Sequence, residues 1–227
     1  VVPYCPRCGT ALSSHEVASG YQLVTDPSIY VRFPLLDAPA STGAAPQGAA
    51  RKLADDGRPV SLLVWTTTPW TLISNVAAAV GLDITYARAR FGEEHLILAA
   101  DLVAAVLGPD AVTEETFPGS QLVGLHYDAP YHFVKPDKPA WRVIPADFVA
   151  TDEGTGIVHI APAFGADDML VGQANDLPVV MPVDEEARFT SEVTPWAGTF
   201  VKDADAGIMD ELDARGLLYA RQPYEHN

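Results

Sequence analysis

Turn signals cut this chain into apolar runs of strand length, and that punctuation limits its fold more than any other feature. "VSLLVW" (60–65) is a continuous apolar run between turn signals, the pattern of a buried strand. "ITYARARF" and "EHLILAA" flank Gly92-Glu93 as the arms of a hairpin. "YQLVTDPSIYVRFPL" (21–35) alternates on either side of Asp26-Pro27 and reads as two strands and a turn, and "WRVIPADFVA", "GIVHIAP" and "PVVMPV" add further strands. Helical patterns are few. "LVAAVLG" is a short helix with Asp101 as its cap and Gly108 as its stop. A second helix spans Gly165 to Asp176, and "DADAGIMDELDARG" is amphipathic and ends on glycine. Many hairpin-joined strands with few helices indicate an antiparallel barrel or sandwich, mainly β with α decoration. The stretch 37–59, rich in Ala, Gly and Pro and without periodicity, reads as a long mobile loop within the domain.

The bulk numbers exclude several classes. A hydrophobic content of 48% over 227 residues is that of a globular chain. No apolar run approaches the ~20 residues that span a bilayer. The start, "VVPYCPRCGT", has neither a basic nor an apolar leader region, so no secretory signal is read there, and the chain is expected to be a segment of something longer. The two cysteines, Cys5 and Cys8, rule out a disulfide framework and fit a reducing, cytoplasmic setting. A formal net charge of −16 repels phosphate, so tight autonomous binding of a nucleic-acid backbone is not expected. A nucleotide end delivered by another domain is compatible with that charge.

Chemistry concentrates in two segments. "VWTTTPWT" (64–71) places Thr66, Thr67 and Thr68 where a strand gives way to Pro69. A hydroxyl at the cap position before a proline accounts for Thr68 as a helix start. It leaves Thr66 and Thr67 without a purpose unless they line a polar pocket. "DEGTGIVHIAPAFGADD" (152–168) has two glycines around Thr155, which let backbone approach a ligand closely. His159 stands between apolar neighbours, as many buried structural histidines do. Asp167 and Asp168 fall at a helix start, where one carboxylate satisfies the dipole and the second is free to pair with a substrate cation. No Gly-x-Ser-x-Gly elbow and no glycine-rich phosphate loop with lysine is present. His15, His95, His126, His132 and His226 do not fall at metal-ligand spacing. A hydrolase built from these groups would position water and polarise a carbonyl. "PYCPRCG" is half of a zinc-ribbon pattern; structural zinc takes four ligands and the knuckle offers two thiolates, so it is either half of a site or an empty remnant.

Taken together, "YCPRCGTALSSHEVASGY", "DPSIYVRFPL", "VWTTTPWTLISNVAAAV" and "GTGIVHIAPAFGADD" resemble the editing domain inserted in class I isoleucyl-tRNA synthetases. The likeness covers nearly the whole chain apart from 37–59. The threonine-rich and GTG-x-V-H segments are shared with valyl-tRNA synthetases, whereas "TALSSHEVA" and "DPSIYVRFPL" look more like the isoleucyl enzyme. "AFGADD" looks like the eukaryote-type branch of that family. The resemblance implies a barrel-like editing domain over 21–227 on a connecting stem, 1–20, that carries the half knuckle. It implies hydrolysis of valyl-tRNA(Ile), and of valyl-adenylate as a second substrate. The alternatives are a valyl-type domain that clears threonine and a module that only packs or binds. It also implies a pocket of Thr66, Thr67, Thr68, His159 and Asp168. In that pocket His159 contacts the terminal adenosine and Asp168 binds the α-ammonium of the misattached amino acid. Asn75, Trp70, Gly154, Thr155, Gly156 and Phe164 would contribute to substrate binding. The reaction would need no cofactor. Cys5 and Cys8 would join a second cysteine pair, placed by the family a little beyond Asn227, around a structural zinc of the full-length enzyme. The partners implied are the tRNA(Ile) 3′ end and the rest of an ATP-using ligase, with whole tRNA bound weakly by this domain alone.

Overall fold

The computed structural model describes residues 4–19, 23–36 and 54–226. At the N-terminus β1 (Tyr4–Cys5) and β2 (Thr10–Ala11) form a two-stranded knuckle, followed by α1 (Ser14–Ser19). Gly9 turns the knuckle at φ +67°, a conformation that favours glycine, and its N–H bonds the Cys5 carbonyl at 2.9 Å. Cys5 and Cys8 are both free thiols. Among the described residues no group of three or more His, Cys, Asp or Glu is placed to hold a metal ion.

The remaining strands form one nine-stranded sheet. They are β3 (Val24–Pro34), β4 (Val60–Thr66), β5 (Ala77–Val80), β6 (Thr85–Phe91), β7 (Glu94–Ala99), β8 (Val112–Pro118), β9 (Arg142–Pro145), β10 (Ile157–Ile160) and β11 (Leu218–His226). Helices α2 (Val103–Leu107), α3 (Ala166–Ala174) and α4 (Val201–Ala214) decorate it. The strands run β8-β6-β7-β4-β10-β5-β9, with β3 on the other edge of β4 and β11 beyond β3. Three pairings are parallel, β4 with β7, β4 with β10 and β5 with β9, so the β-rich architecture is a mixed sheet where antiparallel pairing was expected throughout.

The sheet curls and closes on itself. Segment 124–128 bridges Arg142 of β9 through His126 and Leu35, just past β3, through Tyr127. Hydrogen bonds from Leu36 N to His126 O and from Asp128 N to Pro34 O, at 2.9 and 2.8 Å, complete the ring of β3, β4, β10, β5, β9 and this segment. Its interior is packed by Val31, Phe33, Leu62, Val64, Val76 and Tyr127. On the outer face Tyr30, Leu63, Leu96 and Leu98 form a second cluster with α2. β4 thus contributes Leu62 and Val64 to one cluster and Leu63 to the other, which explains its unbroken apolar run.

Along its far edge β4 is shared. Val60–Leu62 pair with β7 and Trp65 pairs with Val158 of β10, so the sheet forks between them. The Gly154–Gly156 turn fills the fork, with Ala99 N donating to Thr155 O at 2.9 Å.

Four local expectations need correction. Asp26-Pro27 is not a turn: β3 runs straight through it, and Pro27 sits opposite Pro223 of β11. Two prolines face each other at a position where neither strand needs a donor. "PVVMPV" forms no strand, only a bridge from Val183 to Phe189; Pro178 and Pro182 remove donors at both ends. Asp101 lies inside a 3-10 turn, Ala100–Leu102, and does not cap α2. Thr68 precedes the 3-10 turn Pro69–Ser74, yet its hydroxyl makes no capping bond. Of the expected 37–59 insertion, residues 37–53 lie outside the described residues. Among the described residues no helix is long and apolar enough to cross a membrane.

Candidate functional site

A cavity of about 370 Å³ opens beside the pairing of Trp65 with Val158. Its wall brings together Thr66, Thr67, Thr68, Gly154, Thr155, Gly156, His159, Phe164 and Asp168. The two segments singled out in the sequence therefore meet, because β4 and β10 are neighbours in the sheet.

The hydroxyls are chained. Thr68 Oγ1 lies 3.3 Å from Thr66 Oγ1 and 3.0 Å from Thr71 Oγ1, and Thr71 Oγ1 lies 2.9 Å from His159 Nε2. Thr71 joins the site because the 3-10 turn stacks residues i and i+3, which places it beside Thr68. That spacing, Thr-Pro-x-Thr, was the signal available in the sequence. Thr71 Oγ1 also donates to Thr68 O at 2.8 Å. Assigning its single proton there places the neighbouring imidazole's own proton on Nε2. Nδ1 is then a bare acceptor, buried and without a protein partner. Burial, 8% exposure, pushes His159 down to about 4. The ring is therefore neutral near pH 7 and too weak a base to take a proton from water; it can orient a hydroxyl group.

Asp168 lines the same cavity. It lies in the first turn of α3 and its Oδ1 accepts the Ala161 N–H at 2.7 Å, which ties α3 to the end of β10. Burial raises its carboxyl above the ordinary value, with Asp167 adding repulsion and the Ala161 N–H opposing. Asp167 points elsewhere, into a groove shared with Leu82 and Leu170. The acidic pair is thus divided, and only Asp168 faces the cavity. Among the described residues no lysine or arginine lines it, whereas Asp152 and Glu153 do. Such a wall suits a cation and disfavours an anion.

The glycine-threonine-glycine turn has φ values of +72° and +71° at Gly154 and Gly156. A Cβ at Gly154 would lie 2.9 Å from the Trp65 ring, and one at Gly156 would lie 2.7 Å from Ala99 Cβ. Tyr86 anchors the turn from behind, donating to Gly156 O at 2.6 Å and accepting from Gly81 N at 3.1 Å. Burial raises Tyr86 to about 12, so it stays protonated. Tyr86→Phe leaves two buried backbone groups unpaired, and equilibrium urea unfolding should register a loss of roughly 1–3 kcal/mol.

Two expected wall residues are not in the wall. Asn75 is 3% exposed and turned into the core: its Oδ1 accepts from Tyr127 Oη at 2.7 Å, its Nδ2 donates to Ala77 O, and its carbonyl accepts from Trp141 Nε1. Its amide organises the turn into β5. Trp70 stands behind the wall, edge-on to Phe164 with ring centroids 4.7 Å apart. Phe148, Trp65, Asp152 and Glu153 line the cavity without having been singled out; the acidic pair immediately precedes the glycine turn, which was its signal.

No protein-family model matches the chain. Over its whole length it is 45% identical to isoleucine–tRNA ligase of Streptomyces coelicolor, 46% to that of Thermobifida fusca and 45% to that of Thermus thermophilus. In each case the chain spans about 20% of the ligase's own length. Among solved structures, the GlLeuRS CP1 domain aligns with TM-score 0.63 at 15% identity, covering 86% of this chain and 99% of that one. The P. knowlesi cytosolic leucyl-tRNA synthetase editing domain aligns with TM-score 0.61 at 11% identity, covering 91% of this chain and 99% of that one. From its first residue to its last the chain is homologous to one segment of the isoleucine–tRNA ligases, and its fold is that of a synthetase editing domain.

Proposed function

We propose that the cavity is the hydrolytic site of a proofreading domain that removes valine esterified to the 3′-terminal adenosine of tRNA(Ile). The observation that supports it most is that chained threonine hydroxyls and the carboxylate of Asp168 line one cavity, while its neighbour Asp167 turns to another groove. An aminoacyl ester has a free ammonium, an ester carbonyl and a small aliphatic tail. Asp168 would hold the ammonium. The β-methyls of Thr66, Thr67, Thr68 and Thr71 would limit the tail, and their hydroxyls would orient water at the carbonyl. His159, neutral with Nδ1 as acceptor, would position a ribose or water hydroxyl without taking its proton. Neither a nucleophilic side chain nor a cofactor is required.

Selection by size has a known basis. One methylene is worth only ~1–3 kcal/mol to a hydrophobic pocket, isoleucine against valine in this very enzyme family being the standard illustration, so a second, smaller sieve is needed. The charge of −16 fits a domain that receives only the acceptor end while the rest of a synthetase holds the tRNA.

The test is deacylation by the 227-residue chain of valyl-tRNA(Ile), isoleucyl-tRNA(Ile) and threonyl-tRNA(Val). The valyl ester should be cleared at least about tenfold faster than the isoleucyl ester. Preferential clearance of threonine would move the assignment to the valyl type. Absence of all three activities would leave a packing module.

A further inference from the structure

Asp205 stands one layer behind the cavity, on the inner face of α4 with Val201, Ala204, Ile208 and Leu212. It is 5% exposed, and its Oδ1 accepts the Trp70 N–H at 3.0 Å. Pro69 has no N–H, so Trp70 presents the first donor of the Pro69–Ser74 turn, a group without a partner inside the turn. The local candidate for a cap, Thr68, is engaged with Thr66 and Thr71 instead. A carboxylate from a helix distant in sequence therefore caps the turn. Directly after the amide it holds, the Trp70 ring backs Phe164, and the next residue, Thr71, carries the hydroxyl that meets His159.

We propose that Asp205 is a positioning residue: by holding the Trp70 amide from α4 it fixes the turn that presents Thr71 to His159 and supports Phe164. For its activity arm this rests on the hydrolytic reading above; its structural arm does not. The charged groups facing Asp205 are Lys202 on α4 and Asp26 on β3, themselves paired at 2.8 Å. Burial lifts Asp205 to about 6, with Lys202 opposing and Asp26 reinforcing.

Asp205→Ala and Asp205→Asn are compared by amide hydrogen exchange, by ¹⁵N signals of the His159 ring and by deacylation of valyl-tRNA(Ile). In the alanine variant Trp70 exchange should accelerate roughly tenfold or more, and the asparagine variant, whose Oδ1 still accepts, should stay within about threefold of the parent. The His159 ring signals should shift in the alanine variant and hold in the asparagine variant. Deacylation kcat should fall about tenfold for alanine with KM within about twofold, and recover for asparagine. Unchanged Trp70 exchange, unchanged His159 signals or unchanged kcat in a folded alanine variant would each overturn the proposal. If the parent fails to deacylate, the hydrolytic reading falls, and the exchange and ring signals still decide this one. If the alanine variant does not fold, Asp205→Leu, similar in size and unable to accept, takes its place: faster Trp70 exchange with shifted His159 ring signals would support the proposal, and unchanged exchange or unchanged ring signals would overturn it.

Discussion

Replacing Asp168 with alanine is expected to lower kcat/KM for valyl-tRNA(Ile) deacylation about 10²- to 10³-fold, the effect of leaving a partly buried ammonium without its counter-charge. The fold should survive, because the Ala161 N–H that loses its partner costs about 1–3 kcal/mol while the desolvation of the carboxylate is relieved. Asp168→Asn separates the two roles: its Oδ1 can still accept from Ala161, yet it brings no charge. Loss of activity in both variants assigns the effect to charge, and full activity in asparagine would remove the ammonium contact from the mechanism. The pH dependence follows in sign. Burial raises Asp168, so on acidification the carboxylate is neutralised earlier than an ordinary one, and the acid limb of the rate profile should lie above the usual carboxylate range. For stability the native state holds this proton more tightly than the unfolded chain, so ionisation of Asp168 lowers stability as pH rises through the ordinary carboxylate value towards the raised one.

Gly165→Ala is the second large effect, and it needs no change to any functional group. A Cβ at Gly165 would lie closest to Asp168 Oδ2, much closer than atoms can pack. The atoms in the way all belong to the Asp168 side chain, with its carboxylate the most crowded, so the carboxylate is the group that must swing aside. The 2.7 Å bond to Ala161 N is then broken and the anion leaves its place. A displacement of about 1 Å costs on the order of 10²-fold in a positioned site. Deacylation should fall by about that factor while the thermal midpoint moves by only a few degrees, as for a change near 1 kcal/mol. Retained activity, or global unfolding, would contradict this account of the α3 start.

What could be read in advance depended on whether a residue's partners are near in sequence. The hairpin at Gly92, the buried run of β4 and the glycine stop of α4 follow from local pattern alone. Pro27 misled because its partner strand, β11, lies near the opposite end of the chain, and only that pairing shows that no donor is missed. Thr68 misled in the opposite sense: a local cap was available, and bonding to its neighbour Thr71, and through Thr71 to distant His159, prevailed. The two threonine-rich and glycine-rich segments could be named, yet their meeting depends on the parallel register of Trp65 with Val158, which no periodicity encodes. Asn75 and Asp205 show the same limit: Asn75 was expected in the pocket wall and is instead held in the core by Tyr127 and Trp141, and Asp205, unremarkable in sequence, holds a backbone amide 135 residues away.

The fork in β4 has a metrical consequence. Because Gly154 and Gly156 are wedged between the Trp65 ring and Ala99, the turn itself meets both arms with main-chain atoms and brings no side chain of its own at those two positions. A gauge that must tell one carbon from none loses its resolution if its jaws can breathe, and jaws made of peptide planes have the fewest ways to do so.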